Sequence, residues 1–289
     1  MDHAHDTVAP RSRTLTLDGL AHRVLEWGEP GAPAVLLLHG LRSYARTWDG
    51  VAAALAPDHH VLAHDFRGRG ESAWDPRREY FTRRYVRDVE LLADARGLSR
   101  FAVVGHSMGG AVGYVLAARR PDLVTALVVE DIGPGSSDDT AGAERIRREV
   151  GATPAAFDTE DEVRAYWRRI RPDVTDEALA SRVANTVRRG DDGRWHWTLD
   201  MAGIAAARLA ADPDGPVDLW RCVDELRCPT LVLRGGRSDF LPVRTCERMA
   251  QRQPRLRWAE VPGAGHYVHD DRPDEFVARV VAFLAEVTP

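Results

Sequence analysis

No lysine occurs in the 289 residues; all 39 side chains in the basic count are arginine. That absence removes Schiff-base catalysis, a pyridoxal-phosphate anchor and a Walker-type phosphate loop, each of which needs a lysine amine. Arginine does not replace it, because the guanidinium stays protonated and its planar fork is no nucleophile. An all-arginine, alanine-rich composition is also what a GC-rich genome writes, so only the exclusions are kept. Cysteine is scarce: Cys222, Cys228 and Cys246 are odd in number and show no CxxC or Cys/His ligand spacing, so neither a disulfide framework nor a metal site is expected. No apolar stretch reaches the length of a membrane span, and the opening MDHAHDTVAPRSRT lacks the apolar run of a signal peptide. A net charge of −5, with only short basic clusters interleaved with acids, gives no footprint for nucleic acid. A cytoplasmic globular protein with no membrane or nucleic-acid partner is expected; its oligomeric state is not legible.

What is present is an alternation of short apolar runs and amphipathic stretches. Strands are expected at Arg23–Trp27, Ala34–Leu38, Val61–Ala63, Phe101–Val104 and Ala126–Val129, with helices around Tyr44–Leu55, Tyr80–Arg96 and Met108–Arg119. Runs such as AVLLL and ALVV lack polar alternation, which suits strands buried on both faces of a parallel sheet. The pattern is doubly wound α/β. After Asp131 it breaks: from Gly133 to about Trp220 the chain reads as charged and helical, with EVRAYWRRI and DEALASRVANTV as helices and no convincing strand. GPGSSDDTAG (133–142) is the most linker-like stretch. The α/β pattern resumes with the strand PTLVLRGG, a helix near Thr245–Gln251, a strand at Leu256–Val261 and a helix from Pro273 to Glu286. A helical insertion therefore interrupts one sheet.

The strongest chemical signal is Gly105-His106-Ser107-Met108-Gly109-Gly110, which follows the strand FAVV and opens a helix. In that setting G-x-S-x-G is a nucleophile elbow: a tight turn lifts the serine Oγ above the sheet, and the flanking glycines let strand and helix approach. A serine hydroxyl needs a base, and chain order in such a fold puts a histidine last. His266 in VPGAGHYVHDDRP fits, with His269 a neighbouring competitor; His39 and His106 flank the other loops and suit backbone hydrogen bonding. Two acids could orient the histidine. Asp239, just past the seventh strand, is favoured on chain order and turn chemistry, and Asp131, past the sixth, is the alternate. Backbone amides of Met108 and Leu41 are the expected donors to an oxyanion.

LLLHGL (36–41), DFRGRGES (65–72), GHSMGG (105–110), GGRSDFLP (235–242) and GAGHYVHDDRP (263–273) together resemble the α/β-hydrolase superfamily. The resemblance implies an eight-stranded, mostly parallel sheet formed by residues 1–132 and 221–289. It also implies a helical cap, residues 133–220, inserted after strand 6, and a Ser107–Asp239–His266 triad that works without a cofactor or metal. VVEDIGPG is similar to a subgroup of ester and thioester hydrolases with an acid after the sixth strand, which keeps Asp131 open. Ser107 at the elbow departs from dehalogenases and epoxide hydrolases, which carry aspartate there. HGLRS departs from the HGGPG of prolyl aminopeptidases, and Tyr267 stands where ring-cleavage C–C hydrolases generally have tryptophan. The expected activity is hydrolysis of a small or medium ester or thioester. A C–C hydrolase, a lyase or cyclase of the same fold, and a ligand sensor with a vestigial triad are the alternatives.

Substrate selection is expected from the cap, where Trp167, Trp195, Trp197 and Trp220 could cover the site, although tryptophans at helical spacing are commonly core. Tyr267 and Arg42 are further candidates. With lysine absent, any anionic group on a substrate must meet arginine, and Arg42, directly after the oxyanion loop, is the expected clamp.

Overall fold

The computed structural model describes residues 9–136 and 140–287. Parallel strands without polar alternation require cover on both faces, and the structure supplies it. The main sheet comprises β1 (Arg11–Leu17), β2 (Leu20–Trp27), β3 (Ala34–Leu38), β4 (His60–His64), β5 (Phe101–His106), β6 (Val124–Glu130), β10 (Thr230–Gly235) and β11 (Leu256–Val261), in the order β1-β2-β4-β3-β5-β6-β10-β11. The strands from β4 to β11 along that order run parallel, and β2 pairs antiparallel with β1 and β4. β3, β4 and β5 are buried throughout. Their alternate side chains feed two apolar clusters, one on each face.

The expected strands all form, several of them two or three residues longer. The 44–55 region splits into a 3₁₀ turn (Ala45–Trp48) and helix α1 (Asp49–Leu55). Helices α2 (Thr82–Ala95), α3 (Met108–Arg119), α9 (Val243–Arg252), α10 (Val268–Asp271) and α11 (Pro273–Val287) complete the sheet's cover. β1 was not expected. Six of its seven residues are exposed or half-buried, so RSRTLTL has little apolar signal, and it is held by its ladder with β2.

Between β6 and β10 the chain makes helices α4 (Ala141–Gly151), α5 (Glu160–Ile170), α6 (Asp176–Thr186), α7 (Met201–Leu209) and α8 (Leu219–Glu225). Contrary to the all-helical expectation, a three-stranded antiparallel sheet also forms there, from β7 (Ala156–Phe157), β8 (Val187–Arg189) and β9 (Trp195–Trp197). Strands of two or three residues leave no period to read; the Asp192-Gly193 turn, with Gly193 at φ +80°, was the available hairpin signal. Within the linker-like stretch, residues 137–139 lie outside the described residues. Each of α4 to α8 starts on a side-chain cap, from Thr140, Thr159, Thr175, Asp200 and Asp218, whereas α1, α2, α3 and α9 have none. Helices away from the sheet thus carry their own start signals, each contributing about 1 kcal/mol.

The loop after β4 is organised by Arg67, fully buried, whose Nε and Nη2 donate to Asp88 (2.8 and 2.6 Å) and whose Nη1 donates to Asp75 (2.7 Å). Replacing one partner of such a group strands the others in a dry environment. Arg67→Leu is expected to lower unfolding free energy by about 3–5 kcal/mol in urea titrations; a loss below about 1 kcal/mol would show that the two carboxylates are solvated or paired elsewhere.

Candidate functional site

Ser107 sits between β5 and α3 with φ 50° and ψ −114°, a conformation that L residues avoid. The glycines around it are required by contact. A Cβ on Gly105 would stand 2.4 Å from the Gly109 carbonyl oxygen, and one on Gly109 would stand 2.1 Å from that of Leu38. The turn lifts Ser107 Oγ to 3.0 Å from His266 Nε2, which accepts its proton. His266 Nδ1 donates to Asp131 Oδ2 at 2.7 Å.

The acid on His266 is therefore Asp131, and the expected Asp239 is corrected. Asp131 is fully buried immediately after β6, also at positive φ (51°), while Asp239 is exposed and accepts both Nε and Nη2 of Arg145 on α4 at 2.8 Å. That bidentate bond holds the Asp239 carboxyl below its ordinary range. The loop after β10 still serves the acid, through its neighbour. Ser238 Oγ donates to Asp131 Oδ2 at 2.6 Å and the Gly235 N–H donates to Oδ1 at 3.0 Å, while Ser238 Oγ accepts the Phe240 and Leu241 amides at 3.1 Å. Chain order pointed to the wrong loop for the acid: the carboxylate comes from the loop after β6, and the loop after β10 supplies only Ser238, one position before Asp239. Ser238, missed in the sequence, was signalled only by its adjacency to Asp239.

Burial, followed by the Arg145 charge, lowers His266 to about 3, so the ring is neutral at pH 7. Burial raises Asp131, opposed by the Ser238 and Gly235 donors. Those donors favour the carboxylate, leaving the shared proton on His266 Nδ1 and Nε2 free to accept. His269, the competitor, is a separate pair: its Nδ1 donates to both Glu130 oxygens at 2.8 Å and its Nε2 to Thr47 Oγ1 at 2.9 Å. Against burial, Glu130 and Asp270 raise its pKa. His106 Nε2 donates to the His266 carbonyl (3.0 Å), and His39 bridges the Gly40 carbonyl and the Phe66 amide, the backbone roles expected of both.

The remaining candidates are placed differently. Arg42 is buried and committed to Glu149, with Tyr166 Oη accepting at 3.2 Å, so it is not a free clamp. Trp167 and Trp197 turn inward, packing edge-to-face on each other and, with Phe157 and Tyr166, forming the core of the inserted segment. Their indole N–H groups are used by Thr186 and Pro154. Trp195 is half-buried on β9, and Trp220 lies beneath Arg248 and Arg252. Aromatic mass in this segment goes into the apolar cluster that it shares with one face of the main sheet. Tyr267 is covered by Arg171, 3.4 Å above its ring, and by Arg182. Both arginines are buried and pair with Asp270, and Arg171 also with Asp271. Leu41, on the loop after β3, and Met108, directly after Ser107, are both partly buried against the core.

A family model described as alpha/beta hydrolase fold matches residues 33–273, and the chain belongs to that family. Its relatives include a 3-hydroxybutyrate-oligomer hydrolase of Cupriavidus necator, 32% identical across 83% of this chain and 85% of the relative, and an esterase of Mycobacterium tuberculosis, 33% identical across 90% and 85%. An alpha/beta hydrolase of known structure from Novosphingobium aromaticivorans superposes with a TM-score of 0.83 at 32% identity, covering 97% of this chain and 99% of the other. Hydrolysis is the class of reaction these relationships support. No helix among the described residues is long and apolar enough to cross a membrane.

The two histidines are expected to titrate apart. In histidine NMR spectra, with His266→Asn identifying the resonance, His266 should stay neutral down to well below pH 6.5 and His269 should protonate above 6.5. A His266 midpoint at or above 6.5 would contradict the buried setting described for it.

Proposed function

We propose that the protein is a cofactor-independent serine hydrolase of a small or medium carboxylic ester or thioester, with Ser107, His266 and Asp131 as its triad. The observation that carries the reading is the unbroken line from Ser107 Oγ through His266 to Asp131, at 3.0 and 2.7 Å. Ser107 Oγ attacks the acyl carbon as His266 Nε2 takes its proton. Asp131 steadies the imidazolium, itself held by Ser238 and Gly235. The amides of Met108 and Leu41 receive the oxyanion. His266 then returns the proton to the departing alcohol or thiol, which leaves an acyl-enzyme on Ser107. A water, deprotonated by the same nitrogen, releases the acid. The segment 133–220 is read as a cap. In support, Arg42–Glu149, Tyr44–Ser181 and the Asp200 amide on the Gly68 carbonyl tie it to the loops around Ser107.

Two substitutions test the assignment on activated short-chain esters. Ser107→Ala and Asp131→Asn should each lower kcat by roughly 10⁴-fold or more, and Asp239→Asn should leave it within a few-fold. Undiminished turnover by Ser107→Ala would sink the mechanism; a larger loss with Asp239→Asn than with Asp131→Asn would return the acid to the loop after β10.

A further inference from the structure

DFRGRGES buries two arginines, two positions apart, in opposite electrostatic circumstances. Arg67 is neutralised by Asp88 and Asp75. Arg69, equally buried, forms no ion pair with any carboxylate among the described residues. Its acceptors are the Leu41 carbonyl (3.3 Å from Nε), the Arg67 carbonyl (2.9 Å from Nη1) and, weakly, Met108 Sδ (3.8 Å from Nη2). Five donors thus meet three neutral acceptors, one of them a thioether. A buried guanidinium without a counter-ion is expensive to maintain.

We infer that Arg69 binds a carboxylate carried by the substrate. The inference rests on Ser107 being the nucleophile, since it is the location of Arg69 that gives the charge a purpose. Its bonds reach the Leu41 carbonyl and the Met108 thioether, so the fork adjoins the two residues whose amides receive the oxyanion in the mechanism above. The Tyr80 and Tyr85 rings, 4.9 and 5.1 Å from its central carbon, hold it in orientation. Tyr80 is itself fixed by a hydrogen bond from its hydroxyl to Asp200 (2.8 Å), the cap of α7. Tyr85 Oη is buried beside Arg69, and burial, against the charge and hydrogen bonding of Arg69, raises it to about 12. It stays protonated, a donor on the flank of the guanidinium.

Met108, a flexible thioether, is readily displaced by a carboxylate that offers two charged oxygens to the fork. Arg42, the arginine nearest the oxyanion loop in sequence, is excluded by its bond to Glu149.

The test compares p-nitrophenyl hemiglutarate with its uncharged counterpart, p-nitrophenyl methyl glutarate, and 4-carboxyphenyl butyrate with the corresponding methyl benzoate ester. The first pair puts the charge on the acyl side, the second on the leaving group. The wild-type protein should favour the anionic member of one pair by at least about tenfold in kcat/KM. Arg69→Gln should abolish that ratio and Arg69→Lys should restore part of it. Calorimetry of glutarate with Ser107→Ala gives a readout independent of turnover: binding is expected, and is lost in Ser107→Ala/Arg69→Gln. If Ser107→Ala still hydrolyses esters, the nucleophile is wrong while the calorimetric result still judges Arg69. Equal turnover of charged and uncharged members in both pairs would overturn the inference. So would an Arg69→Gln variant that lowers both members of a pair alike, because a purely structural arginine has no reason to discriminate by charge.

Discussion

The site hangs on the end of β6, where two successive acids capture two histidines of one loop. Glu130 takes the imidazole and backbone amide of His269, and Asp131 takes His266. The chain turns between them, since Asp131 has left the strand at positive φ, so the two carboxylates hold the loop from different sides. His269 is clamped further by the Trp48 ring, 4.7 Å away, and by Thr47. With that anchor fixed, the three residues back to His266 leave its ring little freedom. The distance to Ser107 is then set by the sheet itself, because β5 and β6 are paired neighbours with His106 opposite Glu130.

The inserted segment meets the core through a shared apolar cluster and through charge. Arg171 and Arg182 reach down to Asp270 and Asp271, and Arg145 reaches Asp239. Each contact ends on a loop that also contributes to the site: the histidine loop in the first case, the Ser238 loop in the second. Arginine suits this work, since its fork fixes direction as well as charge. Movement of the segment would therefore be felt at both His266 and Asp131.

Much of this is legible in the amino-acid order. Unbroken apolar runs mark the central strands, and the GHSMGG turn between a strand and a helix locates Ser107, because both signals are local and dictated by burial and sterics. What escapes depends on pairing across the chain. β1 carries its order in hydrogen bonds rather than in hydrophobicity. The choice between Asp131 and Asp239 turns on which acid the Arg145 fork occupies, 94 positions away in the chain. Arg69 and Arg67 look alike in DFRGRGES, and only the approach of Asp88 and Asp75 to one of them separates their roles. Aromatic residues of the insertion mislead for a related reason, since Trp167 and Trp197 are taken up by the apolar cluster that the segment shares with the main sheet.

Ser107 and Asp131 are two of four non-glycine residues at positive φ among the described residues, and both lie on the hydrogen-bonded line through His266. At each, glycine would relax the backbone and remove a side chain of the proposed triad. Selection for folding alone would thus carry these two positions away from what they are, and selection for turnover alone holds them in place. On the proposed mechanism these two strained points double as a record of use: a copy freed from its reaction would gain stability by losing them first.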